Sequence, residues 1–248
     1  MTSGKLKEDD ISFFRELVHV GKRCIFVRNK IDAEFEPGVT DAEIRARITA
    51  NLRAQIGGYD KILFASCRTM QGLDELMTTI MRMLSGVKRD RFLRSAAAYS
   101  KEFLDQKVEA CKRYAWYAAA VSAAGNAIPV PGLGFTLDIS VVLAAMVTIR
   151  SDFNLTVARM DKFAGVMPGV SPLINTVMNY ATREGAMILA KRIGTAAAVS
   201  EASKYIPVAG QIVAAAVSAA AVRLVLMMYI DDCYKIAEEM LNAHFQQA

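Results

Sequence analysis

The stretch Asn29-Lys30-Ile31-Asp32 directly follows the apolar run Cys24-Ile25-Phe26-Val27. An ionised carboxylate such as Asp32 offers two acceptor oxygens and no donor. It matches a ligand edge that carries two N–H donors side by side, and it mismatches an edge with an acceptor there. The same tetrapeptide also occurs as a capped turn in ordinary surface loops, and that alternative stands beside the first. A second polar segment, Ser66-Cys67-Arg68-Thr69-Met70-Gln71-Gly72, follows a second apolar run, Ile62-Leu63-Phe64-Ala65. Two loops that each follow a strand lie where an α/β protein places ligand-binding residues.

Other chemistries have little material. His19 and His244 are the two histidines, and Cys24, Cys67, Cys111 and Cys233 show no paired spacing. That excludes a Cys/His zinc site and a disulfide framework, and it suits reduced thiols. Cys67 has no His or Cys nearby to activate it. No Gly-x-x-x-x-Gly-Lys-Ser/Thr loop occurs in the sequence, and no Asp-x-x-Gly. Phosphate cradling and magnesium binding of the P-loop kind therefore lack their residues.

The elements that must position these loops fill 248 residues, 53% hydrophobic and 22% charged. This is enough for one large domain or two small ones, and it excludes disorder as the main state. Residues 1–85 alternate short apolar runs with helical patterns. Helices are predicted from Glu8 to Val20, with Ile11, Phe14, Leu17 and Val18 on one face, and from Thr40 to Gly57-Gly58. Thr40 and Glu43 form a capping box, and Ile44, Ile48 and Leu52 share a face. A third helix is predicted from Leu73 to Leu84. Strands at 24–27 and 62–65 alternating with helices imply parallel βα units. Two strands alone leave exposed edges, so further strands are expected on the N-terminal side.

Residues 86–248 read as all helix. One helix is predicted from about Asp90 to Gly125, and others over Phe135–Phe153, Thr156–Ala164, Leu173–Ile193, Ala196–Lys204 and Gln211–Ala243. Ile128-Pro129-Val130-Pro131-Gly132 and Ile206-Pro207-Val208-Ala209-Gly210 break the pattern. Leu133–Ile149 and Ile212–Ile230 are apolar, but Asp138 and Arg223 interrupt them. A core helix is the expected role rather than a membrane span. Asp138, Arg223 and Gln211 are expected to reach the surface or pair inside a bundle. Met227, Met228 and Met240 are expected as core filler, and Trp116, with Tyr114 and Tyr117, as a packed aromatic rather than a membrane anchor.

The net charge is +5, and Lys88–Arg113 carries eight basic residues against four acids. A solvated helix face is the expected reading, with a phosphate-binding patch as the alternative. No aromatic-plus-basic RNA-binding motif accompanies it, so no nucleic-acid partner is expected. The polar start Met1-Thr2-Ser3-Gly4-Lys5 is not a secretory signal.

Asn-Lys-x-Asp resembles the guanine-specificity loop of Ras-like GTPases, and Ser66-Cys67-Arg68 resembles their Ser-Ala-Lys loop. The resemblance assigns the guanine ring N–H and exocyclic amine to Asp32. It assigns a bridging role to the Asn29 amide and the ring face to the Lys30 stem. A backbone N–H at Cys67 would meet the guanine carbonyl, a contact that tolerates Cys for Ala. Ser66 matches the Ser of the loop, and Arg68 replaces its Lys. The absent phosphate motifs precede, in that fold, the helix that here begins near Glu8, so Met1-Thr2-Ser3 would be the tail of a preceding strand.

Thr2–Ile11 and Phe26–Asp32 resemble the immunity-related, interferon-inducible GTPases. So do Ile128–Gly132, with Asp138 and Phe153-Asn154-Leu155 after it, and Ile206–Gly210, with Tyr229-Ile230-Asp231-Asp232 and Ala237-Glu238. Asn29 departs from the Thr of many members but is the general GTPase choice. Bacterial membrane-associated GTPase tails carry a similar Ile-Pro-x-Pro helix and are the second family considered.

The resemblance implies an α/β class, a partial Ras-like P-loop GTPase domain with a parallel sheet, followed by an all-α domain. Residues 1–85 would be the C-terminal half of the G domain and 86–248 the helical domain. It further implies GTP/GDP as ligand, with Mg2+ only in an intact parent. It implies slow GTP hydrolysis by that parent, homo- or hetero-oligomers, and a cytoplasmic, peripheral association with intracellular membranes in innate defence. The chain is expected to be a C-terminal portion; a pseudo-GTPase, or a non-catalytic membrane-binding or oligomerisation module, is the alternative. No catalytic residue is expected within it.

Overall fold

A computed structural model describes residues 7–57, 62–124, 128–129, 136–137, 139–196 and 207–246. The expected strand tail at Met1-Thr2-Ser3, Gly58, Gly125, Asp138 and most of both proline breaks lie outside the described residues. So do most of the helix expected over Ala196–Lys204 and the Gln211 side chain. The chain divides into two compact units, Met1–Arg89 and Asp90–Ala248.

In the first unit, α1 (Glu8–His19) ends at Gly21, whose φ of +71° favours a residue without Cβ. β1 (Phe26–Arg28) and β2 (Ile62–Phe64) pair in parallel, with Phe26 opposite Ile62 and Arg28 opposite Phe64. β1 starts two residues later than the apolar run implies, because the ladder extends only as far as its three-residue partner. A parallel pair needs a crossover, and α2 (Asp41–Ile56) supplies it. Its N-terminus is closed as expected: Thr40 Oγ1 accepts from Glu43 N–H at 3.3 Å, and Thr40 N–H donates to Glu43 Oε2 at 2.8 Å. Ile44, Leu52 and Ile56 are buried. α3 (Leu73–Met83) follows β2.

The expected apolar face of α1 is only partly covered. Phe14 is buried, edge-on to Phe26 with ring centroids 4.5 Å apart. Ile11 and Leu17 are half-buried, and Val18, with Phe13, Val20 and Val27, is exposed. A two-stranded sheet has too little surface to cover that face.

The helix predicted from Asp90 to Gly125 is two: α4 (Gly86–Ser95) and α5 (Lys101–Ala124). Ser100 starts the second, its hydroxyl accepting from Phe103 N–H at 3.2 Å. α6 (Ile139–Asp152) ends with Asn154 at φ +58°. α7 (Val157–Val166) is capped by Thr156. The helix predicted over Leu173–Ile193 is also two, α8 (Ser171–Tyr180) and α9 (Arg183–Ala196). Thr182 separates them: its hydroxyl donates to Asn179 O at 2.7 Å and accepts from Gly185 N–H at 3.1 Å. α10 (Pro207–Gln246) begins earlier than predicted, since proline is compatible with a first helical turn. A short antiparallel bridge, β3 (Ile128–Pro129) with β4 (Thr136–Leu137), corrects the all-helix expectation.

α5, α6, α8, α9 and α10 share one core, with Cys111, Ala115, Met146, Ile149, Leu189, Leu226 and Ile230 fully buried. Burial pushes the Cys111 thiol up to about 12, and that of Cys233 well above its ordinary value, so both are inert packing thiols. Arg223 reaches the surface as expected. Met227 and Met240 pack on the core, but Met228 is exposed. Trp116 and Tyr117 also correct their expectation: they are 59% and 62% exposed. Among the described residues no single helix is long and apolar enough to cross a membrane; α6 and α7 reach that length only as a pair bent by 58°.

The basic segment is not simply a solvated face. Arg94 pairs with Asp152 at 2.6 Å and lies 3.8 Å over the Tyr114 ring. Arg113 pairs with Asp90, Lys112 with Glu109, and Lys101 with Glu238. Lys107 is 1% exposed; its ammonium donates to Arg94 O and to Asp152 O, the latter at 2.8 Å. A cation placed on the last carbonyls of α4 and α6 satisfies acceptors that a helix leaves free.

Lys107→Ala removes the aliphatic stem and strands both carbonyls, so a loss of roughly 2–4 kcal/mol is expected in denaturant unfolding. Burial lowers the Lys107 ammonium from its ordinary 10.5 to about 8. The unfolded chain then binds this proton up to a higher pH than the folded chain does. The contribution of this group to stability therefore rises between about pH 8 and 10.5. Unfolding curves for the wild type against Lys107→Met at both ends of that window check the sign.

Candidate functional site

β1 and β2 run parallel, so the loops after Arg28 and Phe64 leave the same edge of the sheet side by side. Ala65 N–H donates to Arg28 O at 2.9 Å and Ile31 N–H to Ala65 O at 3.2 Å. These two bonds carry the ladder into the loops and set their spacing. Ile31, buried, anchors a short 3-10 turn over Ile31–Ala33 that presents Asp32.

Lys30 takes a left-handed conformation, φ +63°. This turn lets Asn29 Oδ1 accept from Lys30 N–H at 2.8 Å and from Cys67 N–H at 3.4 Å. Asn29 thus bridges the two loops. The Cys67 N–H is directed at that amide, and Cys67 itself is exposed.

Ser66 is fully buried. Its hydroxyl oxygen accepts from Arg68 N–H at 3.2 Å and from Thr69 N–H at 3.1 Å. Its proton is left for Asp32, and this hydrogen bond is the foremost reason the Asp32 carboxyl lies below the usual carboxylate range. Arg68 is the second reason: its Nε–H donates to Asp32 Oδ2 at 2.7 Å. The Asp32 side chain is 11% exposed and that of Arg68 78%. The carboxylate is therefore seated inward and the guanidinium lies over it.

The second loop is held shut by Ser66 N–H to Gln71 O at 2.9 Å, and it turns at Met70 and Gly72, both at positive φ. A Cβ at Gly72 would lie 2.0 Å from Phe64 O, so only glycine brings α3 this close to the end of β2. Arg28 also pairs with Glu34 and ties the end of β1 to the chain beyond Asp32.

All five residues expected at the site, Asn29, Lys30, Asp32, Ser66 and Cys67, lie on these two adjoining loops. Asn29 contacts Cys67, and Ser66 contacts Asp32. Lys30 is exposed. The sequence pattern gives Arg68 only the place of a loop lysine; a basic residue on the loop facing a carboxylate was the signal for its pairing. The arrangement offers hydrogen-bond recognition by a fixed carboxylate and a carboxamide, while the loop amides are taken up by Asn29, Ser66, Ala65 and Gln71. Among the described residues there is no group of three His, Cys, Asp or Glu that would hold a metal ion.

Interferon-inducible GTPase 5 from Bos taurus is 26% identical to this chain over 91% of its length. The match covers 53% of that protein, so the chain spans about half the length of the curated relative. No protein-family model matches. The chain is related, distantly, to the immunity-related GTPases.

Two substitutions check the geometry. Gly72→Ala is expected to destabilise the first unit by about 2 kcal/mol or more, read as lost amide-exchange protection at Ser66 and Leu73. Ser66→Ala removes the foremost cause of the low Asp32 value. An NMR titration should then find the Asp32 carboxyl moved up towards its ordinary 3.8.

Proposed function

We propose that residues Asn29, Lys30, Asp32, Ser66 and Cys67 form the guanine-reading side of a GTP-binding protein of the immunity-related type. The observation that carries this reading is the inward Asp32 carboxylate, seated by the Ser66 hydroxyl on a loop that Asn29 bridges to its neighbour. Guanine presents its ring N–H and exocyclic amine together, and two carboxylate oxygens accept both. Adenine has an acceptor nitrogen where guanine has the N–H, so it leaves one carboxylate oxygen facing a lone pair.

Magnesium and the phosphates are not held by these residues. The sequence has no phosphate loop of the P-loop kind, and among the described residues no group of three His, Cys, Asp or Glu could hold a metal ion. Hydrolysis of GTP belongs, in this reading, to a longer protein in which another segment supplies those groups. Residues 1–85 are then the second half of a Ras-like G domain and 86–248 its helical domain. The protein acts in the cytoplasm on intracellular membrane surfaces, as a homo- or hetero-oligomer. The family resemblance of the sequence is what implies these properties; the distant relative's name supports the GTPase reading alone.

Asp32→Asn is expected to lower the preference for guanine over adenine nucleotide about 10- to 100-fold, the worth of one matched hydrogen-bond pair. Competition binding of GMP against AMP to the full chain measures it. An unchanged preference would refute the assignment.

A second reading, a membrane-docking module without catalysis, is favoured by one observation: Trp116, Tyr117 and Val121 are exposed together on α5. Flotation with anionic liposomes in the absence of nucleotide tests it. On this reading the wild type floats and Trp116→Ala floats less; a chain that stays in the soluble fraction rejects it.

A further inference from the structure

The guanine edge and the end of an arginine side chain are the same chemical object. N1–H, C2 and the exocyclic N2 of guanine form a guanidine fragment, and Arg68 carries a guanidinium. Both present N–H donors in one plane to a carboxylate. In this structure the Arg68 Nε–H already lies 2.7 Å from Asp32 Oδ2. We propose that Arg68 is a built-in competitor for the base: it holds Asp32 while no nucleotide is bound and must release it before guanine can pair. The inference rests on the reading of Asp32 as the guanine acceptor.

The geometry fits an exchangeable cover rather than a permanent strut. Asp32 is nearly enclosed, with Ser66 on one side and Arg68 on the other. Arg68 is mostly in water and keeps its own anchor through its backbone N–H on the Ser66 hydroxyl. Swinging its side chain away breaks one exposed ion pair and leaves the loop hydrogen bonds in place. An exposed pair is weak, so the competition raises the guanine dissociation constant a few-fold and does not abolish binding. Adenine has no use for Asp32 and should be indifferent to Arg68. The Arg68 side chain thereby reduces guanine selectivity at low ionic strength, and salt screens this effect.

The test uses the full chain, GMP and AMP as probes, and NMR titration at low and high salt. In Arg68→Ala, GMP is expected to bind about two- to fivefold tighter than in the wild type, with AMP unchanged. The gain should shrink in high salt and vanish when Arg68→Ala is made in the Asp32→Asn background. A nucleotide-free arm follows the Arg68 side-chain 15Nε–1H signal. It should lie away from the free-guanidinium position in the wild type and return to it in Asp32→Asn. Circular dichroism confirms that each variant is folded, and Arg68→Gln is the second variant should Arg68→Ala lose structure.

If the wild type prefers GMP to AMP but Arg68→Ala binds GMP no better, or less well, the competition is wrong and the guanine reading stands. An Arg68 signal at the free position in the wild type also overturns it. If GMP and AMP bind alike and Asp32→Asn changes neither, the guanine reading fails and the proposal with it. Both also fail if neither the wild type nor Arg68→Ala binds GMP at millimolar nucleotide.

Discussion

The parallel alignment of Arg28 with Phe64 is the constraint on which the site depends. Strands that end in register release their loops from one edge, and the bonds from Ala65 to Arg28 and from Ile31 to Ala65 carry that register two residues further. Beyond them the ladder has no more partners to offer. Side chains then replace backbone: the Asn29 amide takes the Cys67 N–H, and the buried Ser66 hydroxyl takes two loop amides. Buried polar groups need partners, and meeting that need is what fixes Asp32. The same groups that finish the fold thus preorganise the recognition edge, and a preorganised acceptor loses less on binding than a mobile one.

The helical unit solves a related problem with a charge. Two helix ends, at Arg94 and at Asp152, leave carbonyls without intrahelical donors. Lys107 reaches both from the interior of α5. Arg94 in turn holds the Asp152 carboxylate and lies over Tyr114. Much of a segment expected as a solvated helix face, with a phosphate-binding patch as the alternative, is therefore consumed inside its own unit. Counting charges along the chain overstates the field that such a segment presents to a partner, because paired charges cancel at short range.

Apolar side chains carry the opposite message. Phe13, Val18, Val20 and Val27 of the first unit, and Trp116, Tyr117 and Val121 of the second, are exposed. Apolar surface of this kind is ordinarily covered by another layer, another copy or a lipid face. In the first unit it lies on the helix and strand beside a sheet of two short strands, which accords with the proposal that a G domain normally has more strands here.

What was legible in the sequence was local. The Thr40–Glu43 capping box, the glycine after α1, the apolar runs of both strands and the loops at their ends all depend on neighbours a few residues away, and short-range chemistry decides them. The five candidate residues were named from the resemblance of two loops to those of a known family, at strand ends that local pattern locates. The tertiary structure alone decided which groups meet across distance. The helix breaks at Ser100 and Thr182 interrupt segments whose periodicity continues, because a hydroxyl can cap as readily as it can sit in a helix. Lys107 turned inward and Trp116 outward, against their types, because the position of α10 and of two helix ends determined what each could reach. Arg68 was one basic residue among thirty until the register of two strands laid it over Asp32. A carboxylate and its partner 36 residues apart carry no signal in either loop by itself.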